Sequence, residues 1–333
     1  MSPLRKISLT IVMFVDVALM MLFVFGQTAS AEDLYTLGAF SSSSSDDIDL
    51  NSVQFHYISN RREHFWPYEQ SADTLWDWGF DIYRYIGESG GNDFTGHQFE
   101  GLFGWRFSDA SYLGGTFGLH RLDVPDNSEQ DDQWTYDLRA QFGVTNNFSV
   151  MLNAAEDYVY QLGLQPAGIR EFLVAQTLEA GLTWNPVRVI RVTGLSSKWD
   201  LSDGNVRQEH QARLLYGISP GTPWVWLGVS YEELKYEEMK PDYWTPGRSR
   251  SIGLVFESHF VLLKDLAGSL SAGLSKIKED DNPEGDGGYI FVGVDYNLTE
   301  THTLKFVYSR NRSIQQSSQW SENAYSLSLN GSF

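Results

Sequence analysis

Cysteine is absent from the 333 residues of the chain, and basic residues are scarce, with 24 Lys and Arg against 43 Asp and Glu. Without cysteine the chain has no disulfide bond, no cysteine-ligated metal and no cysteine for a lipid anchor. The formal net charge of −19 disfavours nucleic-acid partners, and no positive patch for nucleic acid or anionic headgroups is visible in the sequence. Long apolar runs and helical stripes are also missing after residue 31, although Tyr, Trp and Phe are abundant.

The N-terminus has the pattern of a secretory signal. A basic pair, Arg5 and Lys6, precedes an apolar stretch at 9–25 that Asp16 interrupts, and Ala29-Ser30-Ala31 forms a small-x-small cleavage site. The apolar stretch is shorter than the ~20 residues of a membrane-spanning helix, which is the alternative interpretation. We therefore expect residues 1–31 to be a cleaved signal peptide. Its removal changes the formal net charge to −20.

Beyond Glu32 apolar and polar residues alternate with a period of two. Trp76, Trp78 and Phe80, for example, alternate with Asp77 and Asp81. Such alternation places the two sets on opposite faces of a β-strand. The pattern recurs in sixteen segments, at roughly 34–41, 52–60, 75–86, 97–108, 112–123, 133–143, 148–159, 171–184, 187–199, 206–218, 223–235, 249–261, 266–277, 287–297, 302–311 and 324–333.

The connections between these segments alternate in length from the fourth segment onward. The short ones lie at 108–110, 145–147, 185–186, 219–223, 262–265 and 298–301. The long, mostly acidic or polar ones lie at 125–133, 161–170, 236–248, 278–288 and 313–322, and 41–51 is a polar low-complexity loop. Short turns at one end and long loops at the other are typical of a transmembrane barrel. Residues 61–74 depart from this rule, either as an excursion at the turn end or because the register of the first two strands is misassigned.

The sequence therefore predicts an all-β protein over residues 32–333: a single closed antiparallel transmembrane β-barrel of about 16 strands. Lipid would cover the apolar face, and closure would leave no open sheet edge in hydrocarbon. A soluble, secreted β-sandwich or solenoid is the alternative, but it would have to bury Trp76 and Trp78 against another sheet.

The end of the chain resembles Gram-negative outer-membrane proteins, in which a terminal Phe and alternating apolar residues are recognised by the barrel-assembly machinery. The matching residues are Tyr325, Leu327, Leu329 and Phe333, while Gly331 and Ser332 depart from the pattern. The resemblance implies an outer-membrane location after signal cleavage, with outer-membrane lipid and the assembly machinery as partners.

The segment "DYWTPGRSRSIGLVFE" at 242–257 resembles a loop motif of export porins for poly-N-acetylglucosamine and cellulose. Its matching residues are Tyr243, Trp244, Pro246, Arg248 and Gly253, and the last 26 residues resemble the closing hairpin of those barrels. The resemblance covers about the last hundred residues and implies sixteen strands and an exported polysaccharide as solute. The N-terminal helical repeats of those porins are missing, so a periplasmic export partner would have to be another protein.

The polar residues of each alternating segment are expected to face the barrel interior and line the lumen, because a mid-depth Arg or Lys facing lipid costs about 2–4 kcal/mol. The acids are Asp77, Asp81, Glu100, Asp137, Asp157, Glu171, Glu179, Glu209, Glu232, Glu257 and Asp295, and the bases are Arg106, Arg139, Arg191, Arg207, Arg213 and Lys305. The carboxylate excess predicts an electronegative passage. Alternatively, opposite charges on neighbouring strands do no more than stabilise a polar interior.

Aromatic residues on the same parity could stack on sugar rings, fill the interior or form an interfacial girdle. They are Trp224, Trp226, Tyr289, Phe291, Tyr83 and Tyr85. The favoured function is a porin that conducts a polar solute, preferably an exported polysaccharide. The alternatives are a barrel enzyme acting on lipid or peptide and a structural or adhesin-like barrel. For an enzyme, His97 and His120 could approach Asp93 or Asp123; no metal ligand spacing and no cofactor motif is found.

Overall fold

The computed structural model describes residues 33–45, 48–59, 76–89, 91–108, 110–124, 129–159, 172–219, 223–240, 243–315 and 318–332. The predicted signal peptide, residues 61–74, Glu171 and Phe333 lie outside these ranges. The described residues form sixteen antiparallel strands in one closed barrel, as the alternation predicted. None of the described segments is a helix long and apolar enough to cross a membrane.

The strands, in chain order, are β1 Leu34–Ser44, β2 Ile48–Ser59, β3 Trp76–Ser89, β4 Asn92–Ser108, β5 Ser111–Val124, β6 Glu129–Thr145, β7 Phe148–Tyr158, β8 Val174–Val187, β9 Ile190–Leu201, β10 Val206–Ser219, β11 Trp224–Tyr236, β12 Ser249–Leu263, β13 Leu266–Glu279, β14 Gly285–Asn297, β15 His302–Gln315 and β16 Ser318–Ser332. They are 11 to 17 residues long. Crossing hydrocarbon takes only about 9–11 residues, so most strands extend beyond it.

The barrel closes between its first and last strands. Leu37 pairs with Leu329 and Ala39 with Leu327, so β1 completes the hydrogen bonding of β16. The serine-rich stretch expected to be a loop is instead strand on both sides of a short turn: Ser41–Ser44 belongs to β1 and Ile48–Asn51 to β2. Backbone hydrogen bonds hold these residues in the sheet, and such bonds do not require an apolar side chain.

The apolar residues of the alternating strands lie on the outer surface of the barrel. Trp76 and Trp134 are each 61 % exposed, and Leu178 and Leu254 are similarly exposed. In water such a belt of aromatic and aliphatic side chains would be costly, whereas hydrocarbon solvates it. The outward parity at mid-height is therefore the lipid-facing surface of a membrane-spanning barrel.

The two ends of the barrel differ. At the turn end, where Leu34 and Ser332 pair, the connections include 109–110, 146–147, 188–189 and 264–265. At the loop end the longest connections are 159–173 and 237–248. Other predicted long loops lie partly within strands: β13 extends to Glu279 and β14 begins at Gly285, while β15 extends to Gln315 and β16 begins at Ser318, because the polar residues there continue the strand ladders.

Candidate functional site

The inward-facing side chains of the strands form a polar wall around the lumen. Cross-strand register places the sequence-predicted residues on this wall, and none of those described lies on the lipid-facing parity: Asp77, Asp81, Glu100, Arg106, Asp137, Arg139, Asp157, Glu179, Arg191, Arg207, Glu209, Arg213, Trp224, Trp226, Glu232, Glu257, Asp295 and Lys305. They do not form one cluster. The structure distributes them between two chambers and several isolated pairs, such as Asp295 opposite Lys305.

The first chamber, which we call the acidic chamber, has a volume of about 480 Å³ and is lined by residues of β2 to β7. Asp81 Oδ2 accepts a hydrogen bond from Gln54 Nε2 at 2.6 Å and lies 3.3 Å from His56 Nδ1. Glu100 Oε1 accepts from Gln98 Nε2 and Thr135 Oγ1, both at 3.1 Å. Amide, hydroxyl and imidazole groups thus hold these two carboxyl groups.

Arg139 is the cation of the acidic chamber. Its Nε and Nη2 donate to the two carboxylate oxygens of Asp137 at 3.0 and 2.6 Å. Among the described residues that line this chamber no other Lys or Arg is present, while Asp81, Glu100 and Asp157 also face it.

On the opposite wall a guanidinium, a carboxylate and an indole are combined. The guanidinium of Arg191 lies 4.6 Å from the ring centroid of Trp226, and Arg191 and Arg213 approach the Glu257 carboxylate at 3.7 and 4.0 Å. Trp226 is buried between Leu215 and Val255. Because Arg191 covers one of its faces, Trp226 stabilises the wall and offers little free ring surface to a solute.

The second chamber, which we call the serine-lined chamber, lies near the loop end and has a volume of about 470 Å³. Seven serines and the amides of Gln211 and Asn311 line it, together with the aromatic residues Tyr289, Trp320 and Trp244 and several aliphatic side chains. Arg207 projects into it, paired with Glu209 and 4.5 Å from the ring centroid of Trp199. Hydroxyls, amides, aromatic rings and paired charges are the groups that hydrogen-bond and stack on polar, ring-containing solutes.

Trp244 lines one side of this chamber and belongs to the motif noted in the sequence. Tyr243 is buried; its hydroxyl donates to Asp203 Oδ2 at 2.8 Å and accepts from Asn205 Nδ2 at 3.2 Å. Burial, and to a lesser degree the contact with the Asp203 carboxylate, raises the pKa of Tyr243. The phenol therefore stays protonated and keeps donating.

The rest of the motif fixes the loop to the neighbouring strands. Trp244 Nε1 donates to Glu279 Oε2 at 3.1 Å, and Arg248 Nη2 lies 2.8 Å from Glu233 Oε1. The backbone amides of Gly247 and Arg248 donate to Asp280 at 3.2 and 2.6 Å. Pro246 presents its carbonyl to the amide of Tyr236 at 3.2 Å. Residues 243–248 are thus bonded to the neighbouring strands and turns.

A buried polar chain, which sequence analysis missed, fills the interior near the loop end. His120 is completely buried; its Nδ1 lies 2.7 Å from Asp157 Oδ1, and its Nε2 lies 2.8 Å from the Tyr85 hydroxyl. Tyr158 packs edge-on against His120 at 4.7 Å. The expected approach of His120 to Asp123 was wrong, because His120 faces inward and Asp123 outward. Because His120 occupies a polar position in the alternation of β5, the sequence pattern could have placed it inside the barrel.

The remaining sequence candidates are dispersed. His97 faces outward opposite Arg84 and Arg121, away from the lumen wall. Tyr325, Leu327 and Leu329 lie on the outward face of β16, and Phe333 is outside the described residues. Within the described ranges, no group of His, Asp or Glu is arranged to hold a metal ion.

No protein-family model and no curated protein sequence matches the chain. Solved structures share its fold. A structure described as a bacterial polysaccharide outer membrane secretin is similar with a TM-score of 0.69 and 12% identity, covering 90% of this chain and 98% of that one. CdiB from Acinetobacter baumannii is similar with a TM-score of 0.51 and 6% identity, covering 90% of this chain and 60% of that one.

Proposed function

We propose that the protein is an outer-membrane channel that exports a polysaccharide through an electronegative lumen. The observation that carries the proposal is the composition of the inner wall: a serine-lined chamber with aromatic residues, in series with a chamber of excess carboxylates. Sugars present hydroxyls and flat ring faces, so hydroxyl, amide and aromatic side chains complement them. No residue is assigned a catalytic role.

Two further points support the proposal. The motif Tyr243, Trp244, Pro246 and Arg248 resembles that of exopolysaccharide-export porins, and its Trp244 lines the serine-lined chamber. The fold is also shared with a structure described as a polysaccharide outer membrane secretin. In this proposal the turn end faces the periplasm and the loop end faces the medium, as short turns and longer loops do in such barrels.

The charge of the wall favours one class of polymer. In a narrow passage with low-dielectric walls, uncompensated carboxylates attract cations and repel polyanions. The proposal therefore favours a neutral polymer or a partly deacetylated amino sugar over an acidic polysaccharide.

Conductance in planar bilayers tests the proposal. The purified protein should form channels, and oligomers of partly deacetylated β-linked N-acetylglucosamine should reduce the current reversibly, whereas an acidic oligosaccharide of equal length should not. A protein that is silent, or a current indifferent to both oligosaccharides, would contradict export.

Two substitutions on β14 provide matched variants. Tyr289 lines the serine-lined chamber, whereas Tyr296, on the opposite parity, faces lipid. Tyr289→Ala should weaken block by the amino-sugar oligomer, and Tyr296→Ala should leave the block unchanged. Equal effects of the two substitutions would show that block is not exerted in this chamber. Release of fatty acid or peptide fragments by the purified protein would favour the enzyme alternative.

A further inference from the structure

The lipid-facing surface near the loop end bears a group of cations on β12, β13 and β15. Arg250, Lys278, Arg310 and Arg312 face outward and are exposed, and we call these four residues the outer basic face. Arg250, Lys278 and the pair Arg310 and Arg312 belong to three separate segments, which is why the sequence shows no positive patch. Folding brings them onto one wall, on which β12 and β13 are adjacent and β14 separates β13 from β15.

Within the described part of the chain no carboxylate forms an ion pair with these four side chains, although Glu233 lies opposite Arg250 in the register of β11 and β12. Nearby acids are already engaged: Glu233 by Arg248 and Lys235, and Asp286 by Lys276. The turn acids Asp281 and Glu284 form no ion pair with the four. The outer basic face therefore keeps a local positive charge in a strongly acidic protein.

Two of the four cations are direct cross-strand neighbours. Arg250 lies opposite Lys278 in the register of β12 and β13. Like charges placed directly opposite destabilise a sheet. An anion bound between them would remove this repulsion, so the pair indicates an anionic ligand.

The rest of the loop-end surface has the opposite character. On β2 to β4, Asp49, Glu88 and Asp93 lie side by side in register on the outward face. Of the outward cations on the rest of this surface, Arg121 and Lys198 are paired with Asp132 and Asp200, and Arg84 on β3 forms no ion pair with the described residues. Unpaired positive charge is thus concentrated on the wall of β12 to β15.

The height of the outer basic face on the barrel identifies the kind of ligand. On β12, Ile252 and Leu254 follow Arg250 on the same face, in the direction away from the loop end. On β13, Leu274 lies on the same face as Lys276 and Lys278 and farther from the loop end than both. These three aliphatic side chains are 63 to 75 % exposed. Tyr308 lies two residues below Arg310 and packs at a tilt against Tyr325, as expected of an interfacial aromatic belt. Each cation of the outer basic face thus lies on the loop side of apolar or aromatic side chains of its own strand, the order expected near lipid headgroups.

We propose that the outer basic face binds the phosphate-bearing headgroup of a lipid in the leaflet that surrounds the loop end, with the acyl chains of that lipid on Ile252, Leu254 and Leu274. Guanidinium groups form paired hydrogen bonds with phosphate oxygens, and ammonium groups attract them as point charges. The site is independent of what passes through the lumen.

Lipid retention in neutral detergent tests the proposal. The probes are diphosphorylated lipid A, the same lipid with both phosphates removed, and inorganic phosphate. Native mass spectrometry should show one phosphorylated lipid bound to the intact barrel, little binding of the dephosphorylated lipid, and no stable complex with inorganic phosphate, which lacks acyl chains.

Matched triple variants identify the site. The variant Arg250→Gln, Lys278→Gln, Arg310→Gln should bind phosphorylated lipid about 100-fold more weakly, from about a factor of five for each cation. The control Arg84→Gln, Arg121→Gln, Lys198→Gln removes the same charge from the other side of the barrel and should bind as the parent does. Heat-modifiable migration in gels checks that each variant is folded.

Three outcomes would overturn the proposal: equal binding of the two lipids by the parent, parental affinity in the first triple variant, or equal weakening in the control. If the first triple variant fails to fold, the parent's binding of phosphorylated against dephosphorylated lipid still tests the proposal. Raising the salt concentration from 0.1 to 1 M should weaken binding of the phosphorylated lipid, because the screening length falls from about 10 to about 3 Å. Binding that is indifferent to salt would contradict a headgroup contact.

Discussion

The hydroxyl of Tyr243 is expected to hold the connection 237–248 in the mouth of the barrel, and Tyr243→Phe removes that hydroxyl alone. The change deletes a bond donated to the Asp203 carboxylate and one accepted from the Asn205 amide. The phenyl ring keeps its place beside Tyr236, 6.3 Å away between centroids. Any effect therefore comes from the lost hydrogen bonds rather than from lost packing.

The size of the effect follows from the charged partner. A hydrogen bond to a charged group contributes about 1.5–3 kcal/mol. If the connection opens as a unit, its open population should rise by about 10- to 100-fold, since about 1.4 kcal/mol corresponds to a factor of ten. Asp203 also lies 3.9 Å from Lys240 Nζ, a residual contact that favours the lower end of this range.

Amide hydrogen exchange in detergent micelles measures this opening. The reporters are the amide of Glu238, which donates to Asn205 Oδ1 at 3.0 Å, and the amide of Lys240, which donates to Thr245 Oγ1 at 2.6 Å. Both should exchange faster in Tyr243→Phe, whereas amides in the middle of β11 should not change.

The control is Tyr325→Phe, which removes a hydroxyl on the lipid-facing side of β16 for which the structure shows no hydrogen bond among the described residues. It should leave exchange in 237–248 at the parental rate. Unchanged exchange in Tyr243→Phe would show that the other contacts of the loop hold it without Tyr243. Faster exchange throughout the barrel would show that the hydroxyl supports the whole fold and not the loop alone.

Three further predictions concern selectivity, assembly and packing. In bilayers the channel should prefer cations at low salt, and the reversal potential should move toward zero when four inward carboxylates are neutralised together, Asp77, Asp81, Asp137 and Glu179; an anion-selective parent would show that other charges control the pore. Deleting Phe333 should reduce the heat-modifiable, folded protein in the outer membrane, and undiminished insertion would show that the terminal strand is not an assembly signal. Gly96→Ala should lower the urea midpoint of unfolding by an amount equivalent to about 1–3 kcal/mol, because the new Cβ would overlap the Tyr85 ring. Gly38→Ala, whose Cβ would lie 3.9 Å from Ser328 Cβ, should be tolerated, and equal effects would show that packing at Tyr85 is not responsible.

The sequence by itself determined the strands and their two faces. Alternation has a period of two in sequence and in the pleat, so Trp76 and Asp77 must point to opposite sides whatever the neighbouring strands are. It also determined the strand number, because each strand needs its own run of alternating residues. It determined the ends of the strands less well: residues such as Ser41–Ser44 remain in the sheet through backbone hydrogen bonds, which leave no trace in side-chain pattern.

Only the tertiary structure decided which inward residues meet. His120 pairs with Asp157 and Tyr85 because the stagger of the strands brings β3, β5 and β7 to one height, and no spacing along the chain encodes that height. The same cause assembles the outer basic face, since Arg250, Lys278 and Arg310 belong to three separate segments of the sequence. Parity assigns a side chain to a face, but position around and along the barrel depends on register, which is a property of pairs of strands.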